Sequence, residues 1–144
     1  MKKYIGIIAI VVLVVALIYF FRFAKSKPKT VSFSPVEENE IPAQITEILP
    51  NYRMKEKALV CKVNDEIYVV VTRGEKSSAG YGVEIKKVLL ETADNEQIVR
   101  VIAQFTDPKP GEVQAQVLTY PYVVVKTDLK ELPQKVILDK EYKK

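Results

Sequence analysis

Residues 67–72 read IYVVVT, five apolar side chains in a row closed by a threonine. Every residue is β-branched or aromatic, the types that suit a pleated and packed surface. A strand with one wet face alternates apolar and polar residues. An unbroken apolar run predicts instead a central strand covered on both faces. Working outward, 59–63 (LVCKV) reads as a preceding strand, and Asn64-Asp65 supplies a tight turn between the two. On the other side, 73–80 (RGEKSSAG) has the glycines and serines of a loop. Tyr81, Val83 and Ile85 then alternate with Gly82, Glu84 and Lys86, and the phase changes at Lys86-Lys87 before VLLE, which predicts a β-bulge. After the polar turn ETADNEQ, Val99, Val101, Ala103 and Phe105 alternate with Arg100, Ile102 and Gln104. DPKPGE (107–112) is a proline-glycine loop. Short strands are expected at 113–117, at 120–126 and at 132–138, the last with Pro133 at its start, an edge position that tolerates proline. Six or seven short strands with few helical residues predict a mainly β fold, an antiparallel β-sandwich or roll.

One short helix accompanies the strands. Ile41, Ile45, Ile48 and Leu49 fall on a single helical face, Pro42 suits a first turn, and Pro50 is expected to end the run. Upstream lies a different kind of helix. Between Lys3 and Arg22 no residue is charged, and YIGIIAIVVLVVALIYFF is long enough, at about 1.5 Å per residue, to cross most of a bilayer's hydrocarbon core. A removed signal peptide has a shorter apolar stretch and small residues before the cut. Here the run ends in Phe20, Phe21, Arg22 and Phe23, and Ala24-Lys25-Ser26 is a poor cleavage context, so a retained transmembrane anchor is expected. The flanking charges nearly tie, with a slight excess after the run. That excess by itself favours a cytoplasmic C-terminal part, but the three-residue tail before the run is the layout of a signal-anchor, so the rest of the chain is expected outside a bacterial cell. The expected organisation is a membrane anchor over 1–25, a polar, proline-punctuated linker over 26–36 and one β domain over 37–144.

The net charge of +4 suggests nucleic acid until it is divided. Residues 1–27 hold five basic residues and no acidic one, which leaves 17 basic against 18 acidic residues, a net of −1, for the remainder. The basic bias belongs to the membrane flank, where it meets lipid headgroups, and a nucleic-acid footprint is not expected. The chain has no histidine, which removes most Ser-His, Cys-His and zinc designs. Its single cysteine, Cys61, sits in an apolar stretch and reads as a small core residue. Lys76 beside Ser77 and Ser78 is a weak basis for a Ser-Lys dyad. The glycines of GEKSSAGYG join two strands and open no helix, so they make no phosphate cradle. No enzymatic activity, metal, cofactor or small-molecule substrate is expected.

The motifs in this order resemble the C-terminal domain of the protease complex subunit PrcB family. The resemblance rests on the apolar run at 67–72, then Gly74, Lys76, Gly80, Tyr81, Val83 and Ile85, then Asp107, Pro108, Pro110 and Gly111, then Gln116, Thr119, Pro121 and Tyr122. It covers about residues 58–139, with Ser78-Ala79 where the family carries Thr-Gly. It implies a non-enzymatic accessory domain, in one lineage associated with a surface protease complex. A weaker likeness, K-x-x-x-G-Y between strands, is similar to one inhibitory loop of chagasin-type cysteine protease inhibitors, whose tryptophan-bearing loop has no counterpart here.

Together these readings predict a single-pass, membrane-anchored protein-interaction domain outside the cell, whose protein partner in the family's one lineage is a protease. The alternatives are a protease inhibitor and a structural envelope protein without a dedicated ligand. The residues expected to bind the partner are Lys76 and Lys109, for steering charge, Tyr81, Tyr120 and Tyr122, for aromatic contact, and Gly80, for loop shape.

Overall fold

The computed structural model describes residues 1–23 and 27–143. The cleavage context at Ala24-Lys25-Ser26 lies outside the described residues. The apolar run is one helix, α1 (Lys2–Phe23), whose most apolar 18-residue window has a mean hydropathy of 3.0 and is not buried at all. Its length and composition suit a signal sequence or an anchor. The strands are β1 (Lys29–Thr30), β2 (Phe33–Pro35), β3 (Glu56–Val63), β4 (Glu66–Arg73), β5 (Gly82–Ala93), β6 (Glu96–Thr106), β7 (Tyr122–Thr127) and β8 (Lys135–Tyr142), and α2 (Ala43–Tyr52) lies between β2 and β3.

The strands form two four-stranded sheets, ordered β1-β5-β6-β8 and β2-β7-β4-β3. Two tight hairpins build much of them. Asn64-Asp65 joins β3 to β4 and Asp94-Asn95 joins β5 to β6, and all four residues have positive φ, between 50° and 65°. Consecutive left-handed residues match the twist of the flanking strands, and Asn and Asp bear that conformation at the least cost after glycine. The expected bulge falls where β5 shifts register against β6 between Ile85 and Lys87.

The sheets face each other across one core. Val69 and Val71 of β4 and Val125 of β7 meet Ile85, Val88, Val99, Val101, Ala103 and Phe105 of the opposing sheet. The outer face of the second sheet carries Tyr68, Val70 and Val124, and α2 covers it with Ile45 and Leu49. β4 is therefore buried on both faces, which is why its sequence does not alternate. Cys61 is half-buried in the helix-side cluster, where burial pushes its thiol above the usual range.

Four features depart from the sequence expectations. Residues 29–35, expected as linker, supply an edge strand to each sheet. β1 pairs with β5, the chain crosses over at Val31, only 4% exposed, and β2 pairs with β7. β8 spans Lys135–Tyr142, leaving Pro133 outside, and runs parallel to β6, because the chain visits the other sheet as β7 before returning. Pro50 lies inside α2, and the helix closes two residues later, where Arg53 N–H donates to Leu49 C=O at 2.9 Å. Residues 113–117 form no strand, and Val113 is 98% exposed.

The place of Val31 yields a test. In a flexible linker its truncation would be neutral. As a core residue shared by both sheets, Val31→Ala removes two buried methyl groups and should cost about 2 kcal/mol in urea-denaturation midpoints followed by circular dichroism.

Candidate functional site

One end of the sandwich gathers the segments 73–81, 107–112 and 119–122. At their base is Arg73, the last residue of β4, 3% exposed. Its position follows from the sequence: β4 is packed on both sides, so a charged residue at its end enters the core margin and must be neutralised there. Arg73 Nη1 donates to Glu56 Oε1 at 2.7 Å, and Nη2 donates to Asp107 of the DPKPG loop. The guanidinium carbon also lies 4.3 Å from the Phe105 ring centroid, 5.6 Å from that of Tyr142 and 5.7 Å from that of Tyr81. Such an aromatic wall favours a weakly hydrated cation. The Arg73 backbone N–H donates to Pro121 C=O at 2.8 Å. One residue thus ties β3, β4, the DPKPG loop and the start of β7.

The loops bind one another as well. Lys76 and Thr119 exchange both backbone hydrogen bonds at 2.9 Å, Ala79 N–H donates to Ala115 C=O at 2.9 Å, and Thr119 Oγ1 donates to Ser78 C=O at 2.8 Å. Gly80 has φ +96°, and a Cβ there would lie 2.8 Å from Gln114 Cδ and 3.0 Å from Pro108 Cγ. Only glycine lets the first loop close against the second in this way.

The residues singled out in the sequence divide as follows. Lys76 places its ammonium 5.1 Å from the Tyr81 ring centroid, and Lys109 is exposed. Tyr120 OH donates to Glu75 Oε2 at 2.9 Å while Arg53 stacks on its ring at 4.2 Å, and the carboxylate bond holds the phenol above its usual range. Lys76, Gly80, Tyr81, Lys109 and Tyr120 therefore share the loop end. Tyr122 turns to the α2 side, packs in the helix-side cluster and lines a cleft there, and burial followed by the Glu38 charge raises its phenol. β7 is internal, flanked by β2 and β4. Ser78 Oγ donates to Ala79 C=O, so it is not engaged with Lys76. Among the described residues no group of three or more His, Cys, Asp or Glu side chains is placed to hold a metal ion.

The site's organiser, Arg73, was not singled out in the sequence, nor were its partners Glu56 and Asp107. The signal was present: an arginine directly after five apolar residues and a threonine in the strand expected to be most buried.

These features define the class: a two-sheet β domain behind an apolar helix, with a buried arginine fastening a cluster of loops. Residues 67–128 match the family model described as PrcB C-terminal. The match runs from β4 to just past β7, narrower at both ends than the motifs suggest, and leaves out β1, β2, β3, β8 and α2, which complete the two sheets here. No curated protein and no solved structure matches the chain.

Arg73 supplies two tests. Glu56→Gln/Asp107→Asn strips both carboxylates from a desolvated cation and should cost about 3–5 kcal/mol, whereas Lys140→Ala, which removes an exposed partner of Glu56, should cost less than about 1 kcal/mol. Burial raises the Glu56 pKa, but the Lys140 hydrogen bond and the Lys140 and Arg73 charges outweigh it and hold it below the usual glutamate range. A depressed carboxylate stabilises the fold above its unfolded pKa, and that stability is lost as pH falls through the folded value. Urea midpoints measured from pH 6 downward should therefore drop below about pH 4.5, and Glu56→Gln should flatten that limb.

Proposed function

We propose that this chain is a membrane-anchored, non-enzymatic protein-interaction domain whose binding surface is the loop end built on Arg73. The observation that carries the reading is the mutual bonding of the 73–81 and 107–121 segments into one surface on a rigid two-sheet base. Loops held this way lose little conformational entropy on meeting a partner. Lys76 and Lys109 supply positive charge, and Tyr81 and Tyr120 supply ring surface.

Topology adds support. Six residue steps separate Phe23 from Lys29, so β1 begins within about 20 Å of the end of α1. β1 pairs with Leu89 and Leu90, and β5 then reaches back about 26 Å to Gly82 at the loop end. The loops are thus presented at the end remote from the tether. An accessory role beside a protease is what the resemblance noted in the sequence implies, and it and the placement of the domain outside the cell are parts of the same proposal.

Two measurements check this. Full-length protein should remain in the membrane fraction through a carbonate wash, and a soluble mature form beginning after Ser26 would end the anchor reading. In crosslinked pull-downs from membranes, Lys76→Ala/Lys109→Ala should capture less of the partner at an unchanged melting temperature, since exposed substitutions shift stability by no more than about 0.5 kcal/mol. Capture equal to wild type would return these loops to ordinary turns. Stoichiometric blockade of a cysteine protease by the purified protein would favour inhibition over an accessory role.

A further inference from the structure

β7 has one stretch without a neighbour. On its β4 side, pairing continues to Thr72 and Tyr122, and Arg73 N–H bonds Pro121 C=O. On its other side, β2 pairs with residues 125–127 only, and the last rung is Val36 N–H donating to Val124 C=O at 3.0 Å. The chain then turns away into the 3₁₀ turn Glu38–Glu40. Backbone groups alternate sides along a strand. Because Pro121 C=O points to β4, the Tyr122 N–H and C=O point away from it, on the side of Val36. No strand among the described residues pairs with them there.

A cleft of about 340 Å³ lies along this edge, walled by Val36, Ile41 and Val124 and bounded by Tyr120, Tyr122 and Glu38. Among the described residues, Glu38 is the only charged one lining it. Glu37 and Glu40 flank Glu38 in the chain and are exposed, and among the described residues none of the three is in an ion pair. Arg53, the cation stacked on Tyr120, is committed to that ring.

We infer that an extended, basic peptide segment of the partner adds as a strand to the free edge of β7 at Tyr122. Unpaired backbone groups on an exposed edge template such an addition, with main-chain hydrogen bonds for affinity and side-chain pockets for specificity. The cleft fixes the chemistry. An apolar side chain fits between Val36, Ile41 and Val124, and a lysine or arginine two residues away, on the same face of the added strand, meets Glu38. The inference deepens the proposed protein-binding role and does not depend on the loop lysines.

The test uses full-length protein in detergent micelles and a labelled probe, acetyl-Thr-Val-Thr-Lys-Thr-Val-amide, whose Val and Lys share one face. Anisotropy should show saturable binding, weakened at least about ten-fold when Glu replaces Lys in the probe and likewise by Glu38→Gln. Saturating probe should slow hydrogen exchange at the Tyr122 amide at least about ten-fold. Lys76→Ala/Lys109→Ala should leave probe binding unchanged, so that failure of the loop surface and failure of the cleft are separable. Equal binding of the two probes, no saturable binding, or an unprotected Tyr122 amide overturns the inference. So does a dimer of the full-length protein that the probe fails to displace, which would assign the edge to a second copy.

Discussion

A guanidinium taken out of water must be met by opposite charge and by surfaces that tolerate it, and Arg73 imposes that requirement on several parts of the fold at once. It calls Glu56 from β3 and Asp107 from the loop after β6. It borders the rings of Phe105, Tyr81 and Tyr142, which come from β6, the loop before β5, and β8. Its own backbone holds the entry to β7 through Pro121. A leucine here would fill space and leave the loops to choose their own positions. A paired arginine specifies where a carboxylate-bearing loop must stand. The DPKPG loop is thereby fixed against the Gly80 loop, and only glycine permits that approach. Glu56 extends the arrangement by accepting from Lys140 at 2.8 Å, so β3 and β8, the terminal strands of their respective sheets, are fastened across the same margin.

This arrangement separates the domain into two ends of different construction. The hairpin turns Asn64-Asp65 and Asp94-Asn95 are short and locally determined. The opposite end is long-looped, polar and cross-bonded. The second sheet, packed on both faces between the first sheet and α2, makes a stiff base for it. Stiffness matters to a recognition surface because the partner need not order it on binding.

Most of the fold was legible because its signals are local. The unbroken IYVVVT run, the paired Asn and Asp turns, the phase change at Lys86-Lys87 and the alternation from Val99 to Phe105 each follow from side chains near in sequence. The missed parts depend on distant partners. Residues 29–35 look like linker because three hydroxyl residues and a closing proline punctuate them, and they become strands only because β5 and β7 offer open edges. The parallel direction of β8 depends on the detour through the other sheet. Residues 113–117 carry strand-like composition but find no strand to pair with. In the candidate site, the loops and their glycine were visible as motifs, whereas the Arg73 cluster joins residues 17 and 34 positions apart, which no spacing rule connects.

The central claim is that the loop end meets a protein partner while the opposite end does not. Its most direct test is site-specific photocrosslinking of the full-length protein in native membranes, with a photoreactive residue at Lys109 on the loop end or at Lys62 near the hairpin end. The account predicts a discrete protein adduct from position 109 and none from position 62. Adducts of equal yield from both positions, or from position 62 alone, would contradict it.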